Sequence, residues 1–234
     1  MMRGILLVIL PLSLQLNTVA NHAKPDVKEK IGEGVTVKVN VIYDWSYLQP
    51  STMGALLEKI RSNNTDDPFR EYFHKLFFMV QQHFNNQSVM INITVESIHE
   101  MKNISVPYAI GQHSINGSQT LQKLEEYGRT LQKPDNTIFS LFIVKNIYQW
   151  STRGDHVPYS LTELATHGSF CTGNTSAAVV KVYFAGRHYL ATAHAFAEIF
   201  GSSTYTRFSR EDLQAMNGTF QRCKHEEAVP KTSQ

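Results

Sequence analysis

Residues 137–144, Thr-Ile-Phe-Ser-Leu-Phe-Ile-Val, are apolar at nearly every position. A strand with one face in water alternates apolar and polar side chains, so a run without alternation reads as a central strand covered on both faces. That requires packed layers on either side of a sheet. The flanking patterns supply them. Residues 35–43 alternate and are rich in β-branched side chains, which predicts a strand. Asp66-Asp67-Pro68 then opens a helix in which Phe69, Phe73, Leu76, Phe77, Val80 and Phe84 recur at spacings of three and four. This is an amphipathic helix that buries one aromatic stripe, with His74 and His83 at its surface or boundary. Two-residue alternation returns over 87–101, with Val89, Ile91, Ile93 and Val95 on one face. A short helix is expected over 121–131 with Leu121, Leu124 and Leu131 inward, and a further strand over 177–183. Residues 53–61 read as a short helix, and 44–51, 102–120 and 148–168 read as loops. Ser209 with Asp212 three residues on is a cap-like start for a last helix over 208–216. The order of strand, helix, strand, helix, strand predicts an α/β (α+β) fold on a mixed, mostly parallel twisted sheet.

The chain of 234 residues suits one domain with a sizeable core. Its 22 basic and 20 acidic residues are nearly balanced and form no long like-charge run, which points away from nucleic acid or an anionic membrane as partner. Met1-Met2-Arg3 leads into an apolar run and then Thr18-Val19-Ala20, the pattern of a secretory signal peptide over 1–20. Residues 21–33 read as a flexible polar arm, 34–224 as the domain and 225–234 as a polar tail. No later segment is long and apolar enough to span a membrane. The expected location is therefore outside the cell. Two features agree. Cys171 and Cys223 are the only cysteines, and in an oxidising compartment one disulfide is the default. Asn63, Asn86, Asn92, Asn103, Asn116, Asn174 and Asn217 each stand in an N-x-Ser/Thr glycosylation sequon, although some such matches arise by chance. Glycans at Asn86 and Asn92 require both side chains to face solvent.

The most specific stretch is Ala191-Thr192-Ala193-His194-Ala195-Phe196-Ala197-Glu198-Ile199-Phe200-Gly201-Ser202-Ser203. It is an Ala-rich helical segment closed by a Gly, with one His and one Glu four residues apart. Together with Cys171-Thr172-x-Asn174 and the apolar strand after it, this stretch resembles the reprolysin or adamalysin branch of the metzincin zinc proteases. Within that branch it is similar to the secreted salivary group of blood-feeding arachnids. The specific likeness covers residues 168–223. It implies a zincin-like fold, with the sheet packed on the long helix and on the former active-site helix. It also implies a Cys171–Cys223 disulfide, which by closing about fifty residues should contribute on the order of 2–4 kcal/mol.

The family motif H-E-x-x-H-x-x-G-x-x-H provides three zinc-binding imidazoles, a Glu base and a Gly turn. His194 matches the first ligand and Gly201 the turn. Ala195 stands at the base, Glu198 at the second ligand and Thr204 at the third. No residue convincingly supplies the Met beneath the metal; Met216 lies in the last helix. An Ala cannot transfer a proton, and that transfer alone is worth roughly two to four powers of ten in rate. The stretch before the first strand is also too short for an inhibitory pro-segment. The resemblance thus implies a secreted, glycosylated protease-like domain that is catalytically inactive, holds no cofactor and binds an extracellular protein. The alternative is an active zinc-dependent metalloendopeptidase with a rearranged site, in which His194 and Glu198 hold the metal with His188 or His225. The bland reading of His194 and Glu198 is an exposed helical pair worth ~0.2–0.5 kcal/mol. A third possibility is a decoy glycoprotein with no specific partner.

Overall fold

The computed structural model describes residues 29–44, 68–108, 113–150, 158–182 and 189–223. The signal, the helix over 53–61, Asn63, His188, His225 and the polar tail lie outside the described residues. The main sheet has five strands in the order β2-β1-β4-β8-β7. They are β1 (Thr36–Asp44), β2 (Asn92–Glu100), β4 (Thr137–Ile143), β7 (Glu163–Ala165) and β8 (Ser176–Lys181). The pairs β1 with β2, β1 with β4 and β4 with β8 are parallel, and only β7 runs antiparallel to its neighbour. The mixed, mostly parallel sheet expected from the sequence is therefore present. A second sheet joins β3 (Ser114–Asn116), β5 (Asn146–Trp150) and β6 (Pro158–Leu161).

Every residue of β4 is buried, and its side chains divide strictly by parity. Ile138 and Phe142 enter one core, shared with Ala178 and Val180 of β8. Phe139, Leu141 and Ile143 enter the other, with Ala177 and Val179. The first core is closed by α1 (Pro68–Asn85), α3 (Tyr189–Ile199) and α4 (Arg210–Phe220). The second is closed by Leu121 and Leu124 of α2 (Gly117–Thr130) and by Ile115 and Ile147 of the small sheet. The α1 stripe behaves as its spacing predicts, with Phe73, Leu76, Phe77, Val80 and Phe84 all buried. His74 is exposed and His83 half-buried.

Several expectations need correction. In β2 the alternation does not run unbroken, because Val39 faces Val95 while Asn40 faces Ser97, leaving Glu96 as a bulge. The core-facing set therefore becomes Ile93, Val95 and Ile98, and the extra residue on this edge strand meets Lys38 and Lys133 at 3.9 and 3.8 Å. The region read as a loop over 102–120 contains β3 and the first turn of α2. Leu131 is not inward: it caps α2 and is 40% exposed. The region read as a loop over 148–168 contains most of β5 together with β6 and β7, strands of three to five residues on which two-residue periodicity has almost no length to register. The arm ends earlier than expected, since Ile31 is 7% exposed and its backbone bonds Ser88 and Met90. The disulfide joins Cys171 to Cys223 with a Cα separation of 4.9 Å, tying the loop before β8 to the end of α4.

Candidate functional site

The site is built on α3. Thr192, Ala193, Ala195, Phe196, Ala197 and Ile199 are buried against the sheet, and small Ala side chains let the helix lie close to it. His194 and Glu198, one turn apart, remain half-buried. The helix stops in a Schellman arrangement: Ser202 N–H donates to the Ala197 carbonyl at 2.8 Å and Gly201 N–H to that of Glu198 at 2.9 Å. Gly201 has φ +95°, in the half of conformational space where glycine alone is unstrained. The sequence assignment of Gly201 to the turn thus has a local physical basis.

Beyond the turn, the chain folds around one carboxylate. Asp212 Oδ1 accepts from Ser202 Oγ at 2.7 Å and from Ser203 N–H at 3.3 Å, while Oδ2 accepts from Thr204 Oγ1 at 2.8 Å and Ser209 N–H at 2.9 Å. Ser209 Oγ accepts from Asp212 N–H in return, completing a capping box at the start of α4. Burial would raise the Asp212 pKa, but the hydrogen bonds from Ser202, Ser209 and Thr204 outweigh it and hold the carboxyl well below the usual range. Thr204, the residue aligned with a third zinc ligand, is engaged here.

This arrangement delivers Tyr205 to the site. Its ring lies on the His194 imidazole, centroids 4.4 Å apart and planes at 35°. Its carbonyl accepts from His83 Nε2 of α1 at 2.5 Å and from Gln87 Nε2 at 3.3 Å. The His194 ring is held on its edge as well, by a 2.6 Å bond between Nδ1 and Glu163 Oε1 of β7. Glu163, not Glu198, is therefore the hydrogen-bonded partner of His194. The His194 and Glu163 side chains are 32% and 13% exposed, and Glu198, the helical partner read from the sequence, is half-buried rather than exposed. The bond to Glu163 raises the His194 pKa, against the lowering effect of burial. Burial raises that of Glu198, with His194 and His167 opposing.

A catalytic zinc needs three protein donors meeting at one point. Among the described residues no three His, Cys, Asp or Glu side chains do so. Ala195 is fully buried in the core, and Thr204 serves Asp212. The described residues alone therefore make no three-donor zinc site. What they form is a fixed, half-buried surface of imidazole, phenol and carboxylate. Sequence reasoning found His194, Glu198, Gly201 and the Ser209–Asp212 cap; it missed Glu163, Tyr205 and the role of His83. Of the sequon asparagines, Asn86, Asn92, Asn103 and Asn174 are exposed, and Asn116 and Asn217 half-buried. Asn116 also caps α2, its side chain accepting from Gln119 N–H at 3.0 Å.

No family model and no curated protein matches the chain. Among solved structures it is similar to metalloproteinase-II from Bacteroides fragilis, with TM-score 0.47 and 12% identity over 83% of this chain and 56% of that one. The chain thus spans little more than half of the Bacteroides protein. It is also similar to archaemetzincin from Methanopyrus kandleri, with TM-score 0.43 and 12% identity over 81% and 98% of the two chains. A zinc-dependent peptidase from Methanocorpusculum labreanum gives TM-score 0.40 and 11% identity over 78% and 99%. At TM-scores below 0.5 these likenesses assign neither activity nor metal. No helix among the described residues is long and apolar enough to cross a membrane.

Two outcomes follow from the geometry. Asp212→Ala should lower stability by about 2–4 kcal/mol in urea denaturation, because it removes a cap, strands the buried Ser202 hydroxyl and breaks three part-buried hydrogen bonds. The carboxylate's contribution is present above the ordinary Asp pKa of 3.8 and lost as pH falls through the lower folded value, so the variant should lack that acid-side loss. An NMR titration of the His194 ring should give a pKa above the ordinary 6.5, and Glu163→Gln should return it toward that value. The stability from this pair is full below 6.5 and lost as pH rises through the folded pKa. An unchanged titration in Glu163→Gln would show that the bond is not formed in solution.

Proposed function

We propose that the chain is a secreted, glycosylated domain of the reprolysin-type metzincin class that has lost proteolysis and acts by binding an extracellular protein. The observation that carries this reading is the fate of the catalytic positions. The base position is a buried Ala195, and the third ligand position, Thr204, is bound into the Asp212 network. The second, Glu198, carries a carboxyl whose burial disfavours its charge. The signal-like N-terminus, the sequons and the paired cysteines support secretion. The binding face is the surface around His194, Tyr205 and β7. Its chemistry is mixed, with a ring nitrogen, a phenol and carboxylates, and suits a folded or peptide ligand that supplies both hydrogen-bond donors and acceptors.

The competing reading, an active zinc peptidase with a rearranged site, would need a ligand from outside the described residues, such as His188, and a new base. A peptidase assay on the mature secreted protein separates the two. Purified protein should cleave a mixed peptide library no faster than a His194→Ala variant, with or without a chelator. Chelator-sensitive cleavage that is lost in His194→Ala would overturn the binding reading.

A further inference from the structure

A surface cavity of about 170 Å³ lies on the side of the sheet away from α3, between the C-terminal end of α2 and the strand starts of β4 and β8. One wall is Asn174-Thr175-Ser176, which is an entire glycosylation sequon. The opposite wall is the turn holding Gln132, Pro134 and Asp135, and Arg129 stands at the rim. None of the other described sequon asparagines lines this cavity. We propose that the first N-acetylglucosamine of a glycan on Asn174 folds back into it and becomes part of the packed domain. The inference rests on the secreted, glycosylated reading above.

Three observations favour that occupant. The cavity is smaller than the roughly 300–1,000 Å³ of sites for drug-sized ligands, so it suits a single sugar ring. Its lining combines a guanidinium, the Lys133 ammonium, amides, a carboxylate and hydroxyls with the apolar surface of Pro134, which matches a pyranose that has polar edges and an apolar face. The attachment point is also held in place. Cys171 N–H donates to the Asp135 carbonyl at 3.0 Å, joining the two walls, and Asn174 N–H donates at 3.1 Å to Thr172 Oγ1, which itself donates to the Ser169 carbonyl at 2.7 Å. A tethered sugar next to preformed walls loses little freedom on docking. The floor cannot close over the space by itself, since a Cβ on Gly128 would already meet Phe139 and Thr175 at 2.6 Å. Attachment is the ordinary transfer: Asn174 Nδ2 bonds the anomeric carbon, releases one proton and displaces a lipid-linked diphosphate, with no redox partner.

The test uses the full chain secreted from eukaryotic cells, with occupancy at each sequon read by glycopeptide mass spectrometry. Native protein is treated with an amidase that removes whole glycans. Release at Asn174 should be slower than at Asn86 or Asn92 by about tenfold or more, and Arg129→Ala should narrow that gap. In a variant retaining only the Asn174 sequon, trimming to one sugar should leave Tm unchanged, while removing that sugar should lower it by about 2–4 °C. Equal release rates in the wild type, or a bare Asn174 beside occupied Asn86 and Asn92, would overturn this inference and leave the secreted reading standing. No occupied sequon at all would overturn both.

Discussion

The Asp212 carboxylate holds together the turn that joins α3 to α4. The turn after α3 has little apolar material of its own, and Ser202, Ser203, Thr204 and Ser209 offer hydroxyls and amides that need acceptors. One buried, ionised side chain accepts a hydrogen bond from each of the four. The same residue caps α4, whose Leu213, Met216 and Phe220 enter the main core. The local turn and the global packing are therefore coupled through one group, and the placement of Tyr205 over His194 follows from it.

His194 ties α3 to two neighbouring elements through a single ring. Its ring is clamped between Glu163 of the edge strand and the Tyr205 ring, so it links α3 to β7 on one side and to the post-helix turn on the other. His83 extends the linkage to α1 through the Tyr205 carbonyl. The hydrogen bonds and ring contact of this scaffold involve neither the Ala195 nor the Glu198 side chain. A rigid, half-buried polar face is what a binding surface needs, and it does not require reactivity.

How much of this could be read from the sequence depended on the range of the interaction involved. β4 was legible because burial on both faces abolishes alternation, and α1 because six apolar residues repeat at helical spacing. The turn at Gly201 and the Ser209–Asp212 cap were legible because they are made within a few residues. β6 and β7 were not, since strands of three or four residues carry almost no periodic signal. Glu163 was missed for the same reason, and because its partner lies 31 residues away on another element. The bulge at Glu96 exists only relative to β1. The further contacts of Asp212 to Ser202 and Thr204 are tertiary, so the cap could be foreseen without its larger role.

The proposed binding function requires that the domain hold together without zinc. Its most direct test is elemental analysis of the mature, secreted protein purified without chelators or metal-affinity steps and dialysed against micromolar zinc. Far less than one zinc per chain is expected, with the same Tm before and after dialysis. One tightly held zinc per chain, with a Tm that falls on its removal, would contradict it.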